Sequence, residues 1–313
     1  MKPARSLAIQ PAFRQALPPG AWGVAPQAQA VLLESRAVRL EIVPGLAGGI
    51  AALTWQGARG PVPVLRLSGA PDAGVLYKEL ACRPLVQTLR AASHLSASGC
   101  GAFEVAHASE NNPWRITHAD QSSVSLLLEC DGSHPYRLWQ TVTLADACVR
   151  IRLELINTGR RAQALGLGLA CSVARDHATW LAAAAGGIWC ATAADGTLRH
   201  LPAPPAWRFG LAYPLPATHL EHAFSEWTGV ARVHWPRQQL ALTISGDSNG
   251  YVLSTPQAGA CFGFHPLDCA PDHKMRNARP RGAQRLARGA SLVREFALTL
   301  ESGEWQTSLA SGA

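Results

Sequence analysis

The stretch Gly250–Asp272, GYVLSTPQAGACFGFHPLDCAPD, carries the reading that decides the fold. A short strand ends in Thr255-Pro256, where the proline removes a ladder donor. A Cys-Phe-Gly-Phe segment, Cys261–Phe264, follows, then His265-Pro266 and Pro271-Asp272. Outward from it, the chain reads as strands. In residues 148–157, Val149, Ile151, Leu153 and Leu155 alternate with Arg150, Arg152 and Glu154. A period of two puts the apolar set on one face, as in a half-buried strand. Similar alternation runs through Val38–Val43, Val124–Leu128, Leu138–Leu144 and Leu240–Ile244, and the last strand sets Phe296, Leu298 and Leu300 on one face. Turn residues recur between them, at Pro44-Gly45, Asp131-Gly132 and Asn157-Thr158-Gly159. Many strands with frequent breakers predict an all-β chain, a large antiparallel β-sandwich with few short helices.

With 313 residues the chain is long enough for a sizeable core. Residues 1–25 are expected to be an extended lead-in and 26–313 a single domain. The formal net charge is +7. The surplus is nearly all arginine, and no basic run interleaves with aromatics, so no nucleic-acid partner is expected. No stretch approaches the roughly 18–20 apolar residues of a membrane span. Residues 1–23 lack a continuous apolar segment, so no signal peptide is expected and the cytoplasm is the default expectation. The eight cysteines form no C-x-x-C pair and read as small buried hydrophobes, not a zinc site. The basic run Arg276, Arg279, Arg281, Arg285 and Arg288 reads either as a solvated loop or as a rim that attracts an anionic substrate.

Several segments, in order over roughly residues 38–300, resemble the aldose 1-epimerase (galactose mutarotase) family. They are VRLEIVPGLAGGIAALT (Val38–Thr54), CRPLVQTLR (Cys82–Arg90), Pro113-Trp114, the hairpin Leu138–Gly159, GLGLACS (Gly166–Ser172), LEHAFSEWTG (Leu220–Gly229) and the opening stretch. The resemblance implies a mutarotase-like sandwich. It also makes the helix-forming run TWLAAAA, Thr179–Ala185, a strand followed by a Gly186-Gly187 turn.

The family's reaction interconverts the anomers of a free sugar without a cofactor. A base takes the anomeric hydroxyl proton, an acid protonates the ring oxygen, and the opened ring rotates and recloses. The resemblance places His265 where the family has its glutamate base, and an imidazole can accept a proton at neutral pH. The place of the acid histidine falls on Ala170. His107, one residue beyond the place of the other histidine, or a water then supplies the acid. Arg90 stands beside the arginine position and Glu221 at the aspartate position. Trp114, Trp227 and Asp272 complete the implied substrate contacts. His134-Pro135-Tyr136 looks like the missing His-Pro-Tyr but precedes the wrong strand. His219 and His222, three apart, fall on opposite faces of a strand, so no metal is implied.

The expected function is therefore that of an aldose 1-epimerase-like isomerase, a monomer or homodimer, acting on or binding a small-molecule sugar. One alternative is a carbohydrate-binding pseudoenzyme. The other is an epimerase for phosphorylated sugars, which the Arg276–Arg288 run suggests.

Overall fold

Period-two alternation turns most of the described chain into strands, and every pairing between them is antiparallel. In the computed structural model the described residues are 30–45, 47–66, 80–88, 104–105, 114–132, 134–191, 198–255, 259–268 and 284–303. The expected lead-in and three expected site residues, Arg90, His107 and Asp272, lie outside them, as do Arg276, Arg279 and Arg281.

In chain order the strands are β1 Val31–Glu34, β2 Val38–Val43, β3 Gly49–Gly57, β4 Gly60–Leu65, β5 Cys82–Thr88, β6 Glu104–Val105, β7 Arg115–Ala119 and β8 Ser123–Cys130. Then come β9 Tyr136–Ala145, β10 Cys148–Asn157, β11 Gln163–Ala174, β12 Trp180–Ala182, β13 Gly187–Ala191, β14 Leu198–Pro202 and β15 Tyr213–Pro214. The last are β16 Leu220–Ser225, β17 Val230–Trp235, β18 Leu240–Gly246, β19 Gly250–Thr255, β20 Cys261–Leu267, β21 Gln284–Leu286 and β22 Ser291–Ser302. They form two sheets. The first has 13 strands, ten along the path β1-β2-β3-β4-β11-β20-β19-β16-β13-β14, with β5 and β21 also paired to β11 and β6 paired to β5. The second has nine, in the order β15-β12-β17-β18-β22-β10-β9-β8-β7. The helices among the described residues are two three-residue 3-10 turns, Pro205–Trp207 and Pro236–Gln238. None is long and apolar enough to cross a membrane.

The core lies between the sheets. On β10, Val149, Ile151, Leu153 and Leu155 are buried while Arg150 and Arg152 are exposed, as the alternation predicts. On β11 the odd-numbered Leu165, Leu167, Leu169, Cys171 and Val173 enter the core. The even-numbered Gly166, Gly168, Ala170 and Ser172 take the opposite face, which is therefore built of small side chains. The Sγ atoms of Cys82 and Cys171, direct cross-strand partners, lie 3.3 Å apart in the core as free thiols. Burial and the neighbouring Cys82 push the Cys171 thiol well up, as expected of an inert buried cysteine.

The Ala-rich run departs from expectation in part. The strand covers only Trp180–Ala182. Ala183 and Ala185 are buried, and their N–H groups bond Phe209 O and Arg208 O. Tertiary hydrogen bonds thus replace the intrahelical ones that alanine favours. Gly187 opens β13 instead of closing a turn.

Two features fix the strands β16, β19 and β20. Beneath them, on the core side, the rings of Phe224 and Tyr251 stack at 4.8 Å and those of Tyr251 and Phe264 at 4.7 Å, with Trp227 edge-on to Tyr251 and Phe264. Tyr251 Oη donates to Ala183 O at 2.8 Å and Trp227 Nε1 to Val230 O, so both polar side-chain atoms of this aromatic layer are satisfied. Just past β20, buried Asp268 accepts from the Leu167 N–H at 3.0 Å and from Arg294 of β22 at 2.5 Å. That ion pair ties the end of β20 to the second sheet.

Candidate functional site

Direct cross-strand partners share a face, so pairing register alone assembles the site. One row crosses the first sheet on the face turned away from the core. It runs from Arg83 on β5 to Ala170 on β11 and His265 on β20, the register there continuing from Cys171 opposite Phe264. It goes on through Val252 on β19 and Ala223 on β16 to Trp189 on β13 and His200 on β14. The adjacent row is more polar: Ser172, Gly263, Ser254 and Glu221. His265 and Glu221 thus share a face, two strands and one row apart.

His265 spans the two rows. Its ring leans back over Gly263, where a Cβ would come within 2.6 Å of Nε2 and 2.8 Å of Cε1. Only a glycine leaves room for it there. Nδ1 accepts the backbone N–H of Cys171 at 3.1 Å. A neutral imidazole has one acceptor and one donor nitrogen, so this bond assigns the ring proton to Nε2. Burial, with a smaller contribution from the Arg83 charge, pushes the His265 pKa down to about 4, which keeps the ring neutral at pH 7. The residue as a whole is nevertheless only half-buried. A base at this position was expected. In the structure Nδ1 accepts from the Cys171 N–H, and Nε2 lies toward the polar row.

Glu221 is half-buried, and no described group bonds its carboxylate. Arg83 is partly buried, and desolvation lowers its pKa. Sequence reasoning looked for the arginine seven residues further along and missed this one. Arg83 lies within the quoted CRPLVQTLR segment, and alternation puts it on the opposite face from the buried Cys82. Trp189 was also missed. It packs on Ala223, Val252 and Leu267, a small apolar cluster on the same face, and its ring lies 5.0 Å from that of His200. Its Nε1–H is buried and finds no partner among the described residues.

Two expected contacts are placed elsewhere. Trp227 lies in the core, with Nε1 donating to Val230 O at 3.0 Å. Trp114 is a core residue packed against Gly48. Both are buried because their large apolar rings fill the intersheet space. Phe262 and Phe264 likewise belong to the core, so none of these rings fills the His265 face. His134 precedes β9 in the second sheet, away from the site. His219 Nδ1 faces Thr255 O at 3.2 Å, while His222 packs on Trp207, and no group of metal ligands occurs among the described residues.

A depression of about 540 Å³ lies on the outer face of the second sheet, between Thr141, Arg150, Arg152 and Asp247. Two of its charged groups are already engaged, Arg152 with Glu154 and Glu295, and Asp247 with the Glu295 N–H. It offers no directed group comparable with His265.

No family model matches the sequence. The uncharacterized protein YphB of Escherichia coli (strain K12) is 26% identical over 200 residues, covering 59% of this chain and 67% of that protein. A crystal structure from E. coli K12, of a protein provisionally named as an aldose 1-epimerase, matches with a TM-score of 0.73 at 19% identity, over 88% of this chain and 99% of that one. A galactose mutarotase-like protein from Lactobacillus casei ATCC 334 matches with a TM-score of 0.68 at 13% identity, over 87% and 100% of the two chains. The fold of this chain is that of the aldose 1-epimerase and galactose mutarotase-like proteins.

Proposed function

We propose that this protein binds a free sugar on the His265 face of the first sheet and interconverts its anomers, an aldose 1-epimerase-like activity. The observation that carries the reading is the convergence of Glu221, His265, Ser172 and Ser254 on one face beside the Trp189 cluster. A pyranose has a rim of hydroxyls and two faces of C–H groups. Directed donors and acceptors next to an apolar aromatic wall match that division. The fold likeness agrees with it, since the neighbours are named for aldose and galactose epimerisation.

The test is NMR magnetisation exchange between the anomers of D-galactose and D-glucose, with binding followed by saturation transfer. Exchange faster than in buffer is expected. Glu221→Gln is expected to weaken binding tenfold or more while leaving the urea midpoint unchanged. No binding and no acceleration with either sugar would sink the reading.

A second reading, binding without turnover, is favoured by one residue. Ala170, between Arg83 and His265, carries no proton where the resemblance implies an acid. Saturation transfer without faster exchange would select it.

A further inference from the structure

We infer that His265 presents a fixed Nε2–H donor to the ligand, and that Glu221 is the proton acceptor facing it across the polar row. This rests on the sugar-site reading and reverses the polarity expected at position 265. Three observations converge. The Cys171 N–H occupies Nδ1, so the remaining ring nitrogen carries hydrogen. The ring lies over Gly263, which puts Nε2 in the row of Ser172, Ser254 and Glu221. The Glu221 carboxylate has no hydrogen-bond or ion-pair partner among the described residues, and the charge that it feels from within its own strand is that of His222.

The spacing suits a small ring. Gly263 and Glu221 stand two strands apart, roughly 10 Å between backbones. Nε2 stands above Gly263, and the glutamate side chain extends from the other end. What remains between them takes one hydroxylated ring, with an oxygen accepting from His265 and a hydroxyl donating to Glu221. Among the described residues, the ionisable groups on this face near His265 are Arg83, across Ala170, and Glu221. Burial, and to a lesser degree the Arg83 charge, oppose a positive charge on the ring, so His265 holds its donor form without taking up a proton. A neutral imidazole used as a hydrogen-bond donor is an established catalytic device.

Two measurements test this. The first is a long-range ¹⁵N–¹H spectrum of histidine-labelled protein from pH 5 to 8, with His265 assigned by its loss in His265→Gln. The Nε2–H tautomer is expected, without titration near pH 6.5. An Nδ1–H tautomer, or a midpoint near 6.5, overturns the donor assignment. The second is binding of D-galactose and D-glucose. His265→Gln keeps a side-chain N–H and should hold affinity within about threefold. His265→Glu offers only acceptors and should lose tenfold or more. Equal or tighter binding by His265→Glu shows that the position wants an acceptor and overturns the proposal. If the wild type binds neither sugar, the sugar-site reading and the ligand half of the proposal both fail, while the spectrum still decides the tautomer.

Discussion

His265 and Asp268 stand three residues apart at the end of one strand and have opposite fates. Asp268 is buried and surrounded by partners: Arg294, the Leu167 N–H and a tie to the second sheet. Burial pushes its pKa up, against the pull of the Arg294 and Leu167 bonds. Its oxygens face inward and have nothing left to offer. Among the described residues the His265 side chain is held by one bond, to the Cys171 N–H, and its other nitrogen lies toward the polar row. The first pattern is that of a residue joining layers, and the second that of a residue held ready for a ligand. Perturbed protonation accompanies both, so it does not separate them; what the other polar atoms touch does.

The largest effect is expected at the locked end. Asp268→Ala leaves the partly buried Arg294 without its carboxylate and the Leu167 N–H without its side-chain acceptor, a loss of about 2–4 kcal/mol. Urea denaturation measures it, and a loss below about 1 kcal/mol would dissolve the contrast. Next comes Gly263→Ala. The new Cβ displaces the His265 ring and costs about 1–3 kcal/mol, with the Cys171–His265 bond broken. Sugar binding should fall at least tenfold, a change that Asp268→Asn, which keeps the Leu167 contact, should not produce.

The smallest effect is in the pH dependence. The folded His265 pKa of about 4 lies below the unfolded value near 6.5, so the unfolded chain binds the proton first as pH falls. The stability that neutral His265 contributes is complete above about pH 6.5 and is lost on descent toward pH 4. Its partial exposure reduces the amount to roughly 1–2 kcal/mol. Between pH 7 and 4.5 the urea midpoint should therefore fall more in the wild type than in His265→Gln. Asp268 acts with the opposite sign, because burial raises its folded pKa and acid then favours the folded state.

The strands of the core were legible because alternation is local. The run Cys148–Asn157 shows in sequence the pattern of buried and exposed positions that it adopts in the sheet. TWLAAAA was half legible, since composition there competes with tertiary hydrogen bonds that no window contains. Glu221 and His265 could be named from the order of motifs. Their mutual placement could not, because β11 is joined to β5 and β20 from about 90 residues away on either side. Arg83 escaped for the same reason. Its row partner Ala170 is set by register, which spacing along the chain does not encode. The polarity of His265 was invisible in principle. It depends on one backbone N–H of a residue whose side chain points the other way.

Ala170 has a consequence for the history of this face. A larger side chain there would meet Arg83 on one flank and His265 on the other. A histidine at 170 would bring a third cation-forming group between two that already repel charge. Residues 83, 170 and 265 are thus one decision, not three. Measured as a cycle, Ala170→His with and without His265→Glu should be strongly non-additive.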